Sequence, residues 1–138
     1  DEWNIKNLEA VKYLQKLWII KWYDDWTFWA DNSVNRAEAV KIILEALWEQ
    51  PLPIVWDETW FVDVSSDSWF AWYVTKAKEE WIIKGYDNWT FWATKTVNKV
   101  ELLKMLFTAF GIDLSNYEVT ELYSDASSNA WFAPYLQY

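Results

Sequence analysis

The sequence has no histidine and no cysteine, and it contains only 2 glycines and 3 prolines in 138 residues. The lack of cysteine excludes a disulfide framework and a thiolate metal site. The serines lie in polar turns without a base partner, so the sequence shows no nucleophile–base pair of the kind an enzyme needs. We therefore expect a non-enzyme without a cofactor. No apolar run is long enough to span a bilayer, and we expect no membrane insertion.

Basic residues are also scarce. The chain has 12 Lys and Arg against 21 Asp and Glu, a net charge of −9. Binding to nucleic acid needs a basic face, so nucleic acid is not an expected partner. The length suits one domain with a workable core. Because the sequence opens at Asp1 without Met or a signal-like segment, we expect a piece of a longer or processed protein.

Tryptophan is abundant, with 14 residues, and much of it lies in an internal repeat. Residues 18–30 read WIIKWYDDWTFWA, and residues 81–93 read WIIKGYDNWTFWA, at a constant shift of 63 positions. A repeat this close indicates one supersecondary unit used more than once. Trp22 stands in the first copy where Gly85 stands in the second, so a position that suits glycine is occupied by tryptophan.

The second copy is the more complete one. It opens with Phe61-Val62-Asp63-Val64, and the pattern predicts a first helix over residues 69–80 with Tyr73, Val74 and Ala77 on one face. After a loop, Asn98 and Glu101 form a predicted capping box at the start of a second helix that runs to about Phe110. Gly111 is predicted to end it in the left-handed region. The predicted buried stripe of this helix is Val97, Val100, Leu103, Leu106, Phe107 and Phe110.

The first copy repeats this pattern without the opening stretch. A first helix is predicted over residues 5–17 with Leu8, Val11 and Leu14 inward, and Asn35 and Glu38 repeat the capping box. The predicted stripe of its second helix is Val34, Ala37, Val40, Ile43, Leu44 and Leu47.

Five segments follow from this comparison. Residues 1–50 form the first copy, and residues 51–60, with Pro51 and Pro53, form a linker. Residues 61–111 form the second copy, residues 112–122 a connecting segment, and residues 123–138 the start of a third copy. In that third copy Tyr123 to Ala126 echoes the opening stretch, and Trp131 to Tyr135 echoes the start of the first helix.

These motifs resemble the S-layer homology (SLH) family, whose repeat contains F-x-D-V, then G-I-I-x-G-Y-x-D-G-T-F, then V/I-T-R-A-E. The matching residues include Phe61, Asp63, Val64, Trp69, Ile82, Ile83, Gly85, Tyr86, Thr90 and Phe91, and in the first copy Ile19, Ile20, Tyr23, Thr27, Phe28, Val34, Arg36, Ala37 and Glu38. The resemblance implies an all-α fold of helix–loop–helix repeats in a pseudo-threefold arrangement, with short extended segments only.

The same resemblance implies a function outside the cell. SLH domains anchor surface proteins non-covalently to the cell wall by binding an acidic, often pyruvylated, secondary polysaccharide. The expected location is therefore the cell surface or cell wall, and the expected partner is that polysaccharide. A structural module for self-assembly or protein–protein contact in a surface layer, without a glycan site, is the alternative.

The departures from the family concern glycine. Trp18, Trp22, Trp26, Trp81 and Trp89 stand at family glycine positions, whereas Trp69 and Trp131 match family tryptophans and Trp3 is undecided. Other tryptophans stand where glycine would be unremarkable: Trp29, Trp48, Trp56, Trp60, Trp72 and Trp92. The turn positions of Trp26 and Trp89 call for a residue that tolerates positive φ. Our hypothesis is that most of these tryptophans are glycines encoded by UGA and translated with the wrong table.

The candidate ligand residues begin with Arg36 and Lys99, each directly after the capping Asn of a second helix. A helix N-terminus favours an anion, and Arg adds a planar fork for a carboxylate. The alternative is a solvated surface charge. The resemblance assigns the glycan contact to Arg36, and Lys99 matches only in part. The groove between copies implied by the family adds Trp69, Asp24, Lys21, Lys84 and Gly85.

Several alternatives involve the same loops. Trp69 could pack in the core rather than contact a ligand, and the whole tryptophan set could form a sugar-stacking platform. Asp24, Asp25 and Asp31 could bind calcium, but the residues between them break the order of an EF-hand loop. Asp and Asn in turns usually bond their own backbone, and this is what we expect here, with no metal.

Overall fold

A computed structural model describes residues 5–47, 49, 59–120 and 123–138. Its helices are α1 (Leu8–Lys16), α2 (Arg36–Ala46), α3 (Ala71–Glu79), α4 (Lys99–Ala109) and α5 (Ala133–Gln137). These ranges contain no β-strand, only an isolated antiparallel bridge between Asn35 and Thr96. The predicted all-α fold is thus confirmed. Helix α2 packs against α3 and α4, and α4 packs against α5.

Some predicted features fall outside these ranges. Residues 51–58 of the predicted linker, residues 121 and 122 of the connecting segment, and Trp3, Trp48 and Trp56 are not among the described residues. The pseudo-threefold arrangement stays a prediction. Over the ranges that are described, no helix is long and apolar enough to cross a lipid bilayer.

The two capping boxes place the starts of α2 and α4. The Asn35 side chain accepts a hydrogen bond from the Glu38 N–H at 3.0 Å, and the Glu38 carboxylate accepts from the Asn35 N–H at 2.9 Å. Asn98 and Glu101 make the same pair of bonds at 2.8 and 3.1 Å. Each box satisfies two backbone donors that a helix start leaves open, so both helices begin where the sequence predicts.

The core lies where α2, α3 and the loop of the second copy meet. Val40, Val74 and Phe91 are fully buried, and Tyr73 and Ala77 are buried beside them, as predicted for one face of α3. Helix α1 contributes no buried side chain, since Leu8, Val11 and Leu14 are only half-buried. The first copy is therefore held to the core mainly through α2.

The predicted stripe of α2 is confirmed at Ala37, Val40, Ile43 and Leu44, which are buried. The predicted stripe of α4 is only half-buried, at Val97, Val100, Leu103, Leu106 and Phe107, and two further residues of the predicted stripes are exposed. Val34 is 39% exposed because it precedes the helix in an extended segment, and Phe110 is 53% exposed because it is the residue that ends α4. Met105 is the one fully buried residue of α4, and the sequence reading did not include it. The errors at Val34 and Phe110 come from extending a helical period past the helix ends.

The opening stretch of the second copy fixes the following loop. Both oxygens of the Asp63 carboxylate accept 2.8 Å hydrogen bonds, one from the N–H of Phe91 and one from that of Trp92. The Phe61 ring packs on Phe91, with centroids 5.6 Å apart, and lies so close to Gly85 that a side chain there would collide with it. Gly85, at φ 79°, therefore serves packing.

Candidate functional site

The start of α2 is joined to the second copy by backbone hydrogen bonds. The Arg36 N–H donates to the Lys95 carbonyl at 2.9 Å, and the Ala37 N–H donates to the Ala93 carbonyl at 3.1 Å. The Val97 N–H donates in turn to the Val34 carbonyl at 3.1 Å. The first residues of α2 thus lie against residues 93–97, far away in the chain.

Arg36 enters this junction as a buried cation. It is only 6% exposed, and its Nε donates to the Phe91 carbonyl at 2.9 Å. The guanidinium carbon lies 5.2 Å from the centroid of the Tyr86 ring and 5.0 Å from that of Phe91. Both rings are within the range of a cation–π interaction, so the aromatic loop of the second copy holds the guanidinium in place.

A second cation lies over the same ring. The Lys95 Nζ donates to the Tyr86 hydroxyl at 3.0 Å and lies 5.1 Å from the Tyr86 centroid and 5.4 Å from that of Trp92. The Tyr86 and Trp92 rings are themselves 4.7 Å apart. Unlike Arg36, Lys95 is exposed. Arg36, Tyr86, Phe91 and Lys95 are called the cation–aromatic cluster below.

The cluster is positive in a protein of net charge −9. Arg36 and Lys95 form no ion pair with any acidic side chain that the structure describes. Asp63 reaches the same loop, but its carboxylate bonds the backbone N–H groups of Phe91 and Trp92. A buried charge without a counter-ion is costly, and an anion beside it would lower that cost. The arrangement suits a carboxylate.

The backbone N–H groups at the N-terminus of α2 do not face an open anion site, and the ligand role of the Arg36 side chain stays a prediction. The backbone N–H groups of Arg36 and Ala37 are occupied by the Lys95 and Ala93 carbonyls, and that of Glu38 is occupied by the Asn35 side chain. These donors are therefore not open to a ligand. The sequence could not show this, because the carbonyls come from the other copy.

Lys99 stands at the repeat-related position but has different surroundings. It is exposed, and its ammonium makes no ion pair or ring contact with the residues that the structure describes. Arg36 and Lys99 occupy equivalent positions in the repeat, but Arg36 is a buried cation held by two aromatic rings and Lys99 is a solvated cation.

Trp69 and Lys21 meet in a groove on the first copy. A cavity of about 580 Å³ lies between the loop of that copy and the start of the second, lined by Lys21, Tyr23, Trp29, Lys41 and Trp69 among others. Trp69 is 58% exposed and packs edge-on against Phe70. It is therefore available to a ligand in this groove.

The other predicted ligand residues lie elsewhere. Asp24 lines a separate cavity of about 610 Å³ within the first copy, next to Lys12, Lys16 and Lys21. The Lys84 side chain is exposed, and its carbonyl accepts a 2.9 Å hydrogen bond from the Lys78 Nζ. Gly85 lies under the Phe61 ring. The predicted set is thus distributed over several places.

Sequence reasoning placed Tyr86 in the groove only as part of the loop over residues 84–93, and it did not include Lys95. Tyr86 belongs to the repeated Tyr-Asp pair, so its recurrence as Tyr23 was a usable signal. Lys95 gave none, because the first copy has Asn32 at that position. Its importance comes from the contact with Tyr86, nine residues earlier in the chain.

The acidic turns bond to themselves as expected. The Asp25 carboxylate accepts from both the N–H and the hydroxyl of Thr27, at 3.0 and 2.6 Å. These hydrogen bonds, the one to the hydroxyl first, lower the pKa of Asp25. Asn88 accepts from the Thr90 hydroxyl in the second copy. Across the described part of the chain, no group of three or more acidic side chains is arranged to hold a metal ion.

Comparison with known proteins indicates where this chain is located. No protein-family profile matches the chain. The chain is 32% identical over 108 residues to a surface layer protein of Brevibacillus choshinensis, and 29% identical over 108 residues to a middle cell wall protein of Brevibacillus brevis. Each match covers 78% of this chain but only 10% of the relative. These similarities indicate a location at the cell surface or in the cell wall.

Proposed function

We propose that the chain is a set of SLH-type repeats that anchors its protein non-covalently to the cell wall by binding an acidic secondary polysaccharide. The observation that carries this proposal is the cation–aromatic cluster. Arg36 is 6% exposed and unpaired with any carboxylate in the described structure, and the exposed Lys95 lies over the same tyrosine ring. The relatives, a surface layer protein and a cell wall protein, support a location at the cell wall.

The binding step assigns a role to each cation. The Arg36 Nε is committed to the Phe91 carbonyl, so its two terminal amino groups are the donors left for a sugar carboxylate, such as that of a pyruvyl group. Lys95 supplies a second positive charge at the exposed edge of the cluster. Tyr86 fixes the two cations relative to each other.

The groove beside Trp69 gives the polymer a second contact. The exposed indole face can stack on the apolar face of a sugar, while Lys21 and Lys41 supply charge. Two weak contacts on one polymer reinforce each other, since the second forms at high effective concentration. The role is binding, and hydrolysis of wall glycan by the purified chain would contradict it.

The test compares charge variants in co-sedimentation with sacculi. We expect Lys95→Gln to weaken binding roughly tenfold, the effect of losing one charge-assisted hydrogen bond. Lys99→Gln is the matched control, because it removes an equally exposed lysine outside the cluster. Equal binding by both variants and the parent chain would contradict the proposed site. Arg36→Gln needs a melting curve as well, because its Nε also joins the two copies.

A structural module for surface-layer assembly is the second candidate. Its supporting observation is the exposed aromatic surface, which includes Tyr123 at 68% exposure and Trp60 at 50%. Exposed apolar patches mark association sites. Concentration-dependent oligomers in analytical ultracentrifugation, combined with no binding to sacculi, would favour this function over anchoring.

A further inference from the structure

Six residues other than glycine have a positive φ in the described structure, and all six are tryptophans. Their φ angles lie between 53° and 64°, in the left-handed helical region, at Trp18, Trp26, Trp29, Trp81, Trp89 and Trp92. Only a few per cent of non-glycine residues adopt positive φ, and Asn, Asp and His are several-fold enriched among them. A set made of one bulky residue type alone calls for an explanation.

The first pair, Trp18 and Trp81, follows the end of a helix in each copy. Trp18 follows α1 as Gly111 follows α4, and the hydrogen bonds are the same: Trp18 N–H to Gln15 and Ile19 N–H to Leu14, against Gly111 N–H to Thr108 and Ile112 N–H to Phe107. This is the Schellman motif, whose left-handed residue is usually glycine. Trp81 takes that place after α3, at φ 61°. The same motif thus carries glycine after α4 and tryptophan after α1, and Trp81 shares the left-handed place and the first of the two hydrogen bonds, from its N–H to the Lys78 carbonyl at 3.1 Å.

The other two pairs lie in tight turns. Trp26 and Trp89 donate to the carbonyls of Tyr23 and Tyr86, three residues earlier, at 2.9 and 3.0 Å. The carbonyls of Trp29 and Trp92 accept from Asn32 and Lys95, three residues later, at 2.9 and 3.0 Å. Three kinds of position, each present in both copies, account for the six residues.

The six side chains are not core residues, although the Trp92 ring contacts Tyr86. The six side chains are between 47% and 81% exposed. A bulky side chain in the left-handed region brings its Cβ against the neighbouring carbonyl, and glycine avoids that clash. Trp69 and Trp131 do not have positive φ, so their backbone conformation is one that tryptophan adopts without this clash. Trp22 also lacks positive φ, although the second copy has Gly85 at its place.

We infer that the polypeptide made in the native cell carries glycine at the six left-handed positions and tryptophan at Trp69 and Trp131. The gene then contains two codons that both appear as tryptophan in this sequence. UGA is read as glycine by the native ribosome, and UGG is read as tryptophan. This inference does not depend on glycan binding, because it rests on backbone angles alone.

Peptide mass spectrometry of the protein isolated from its own cells tests the inference directly. Peptides that span residues 85–95 are expected to have the mass of glycine at positions 89 and 92, whereas peptides that contain position 69 are expected to have the mass of tryptophan. In the gene, UGA is expected at all six positions and UGG at 69 and 131. Tryptophan masses or UGG codons at the six positions would overturn the inference.

A stability comparison tests its physical basis. Trp18→Gly and Trp89→Gly are each expected to raise Tm by about 3 °C or more, because each relieves a left-handed bulky residue. Trp131→Gly is the control: it is 56% exposed but not left-handed, so no rise is expected. Equal effects of all three changes, or a lower Tm for the first two, would contradict the argument.

Discussion

At the scale of single residues, Arg36 and Lys99 show how the same place in a repeat acquires different properties. Each follows a capping asparagine, and the sequence offers no way to rank them beyond Arg against Lys. Arg36 becomes buried because residues 91–95 of the other copy cover it. Lys99 stays exposed. The difference comes from contacts about 55 residues apart in the chain, which no local pattern reports.

Asp63 is the residue on which we expect the loop of the second copy to depend. Asp63→Ala removes two hydrogen bonds to a carboxylate and leaves the part-buried N–H of Phe91 without its partner, whereas water can reach the N–H of Trp92. We expect a loss of about 2 kcal/mol in the free energy of unfolding, measured in urea. Asp67→Ala, in the neighbouring exposed turn, is the control. A loss below about 0.5 kcal/mol for Asp63→Ala would show that the loop holds without it.

Tyr73 provides a pH-dependent prediction. Burial of the hydroxyl, together with its 2.7 Å hydrogen bond to the Glu45 carboxylate, raises the pKa of Tyr73 well above the usual value. Since the folded state holds this proton more tightly than the unfolded state, the stabilisation is complete below about pH 10 and is lost as pH rises further. We expect Tyr73→Phe to weaken the fall in stability above pH 10.

The measurement for Tyr73 is the midpoint of urea unfolding between pH 8 and pH 11. Tyr13→Phe serves as the control, because Tyr13 is 63% exposed and should leave the profile unchanged. The same alkaline slope in the parent chain and in Tyr73→Phe would contradict the prediction.

At the scale of elements, the starts of α2 and α4 were predictable to the residue and the packing of α1 was not. A capping box consists of a side chain and backbone groups three residues apart, so the sequence contains all of it. The ends were predictable where glycine marks them, as at Gly111. The burial of α1 depends on which other elements pack against it. The apolar period of α1 alone therefore did not indicate that Leu8, Val11 and Leu14 would be only half-buried.

The two capping boxes should differ in strength. Asn98→Ala is expected to cost about 1 kcal/mol in the free energy of unfolding, as for an ordinary helix cap. Asn35→Ala is expected to cost more, because Asn35 is half-buried and water is less able to replace the lost bond to Glu38. Urea unfolding of both variants measures the difference, and a larger loss for Asn98→Ala would contradict this reasoning.

At the scale of the whole molecule, the charge distribution matters more than the total. A net charge of −9 repels an acidic polymer, yet Arg36 and Lys95 concentrate positive charge on one aromatic surface. Salt screens long-range repulsion more than it weakens a contact with a buried guanidinium. The all-α architecture followed from the repeat, since two copies of one helix–loop–helix pattern are visible in the sequence. The cluster did not, because it forms only where the copies meet.

The most direct measurement of anchoring is co-sedimentation of the chain with sacculi before and after chemical extraction of their secondary polysaccharide. We predict binding to intact sacculi, no binding to extracted sacculi, and competition by the released polysaccharide. Binding that survives extraction unchanged would contradict the account and assign the interaction to peptidoglycan or to protein. No binding to either preparation would contradict it as well and favour the assembly function.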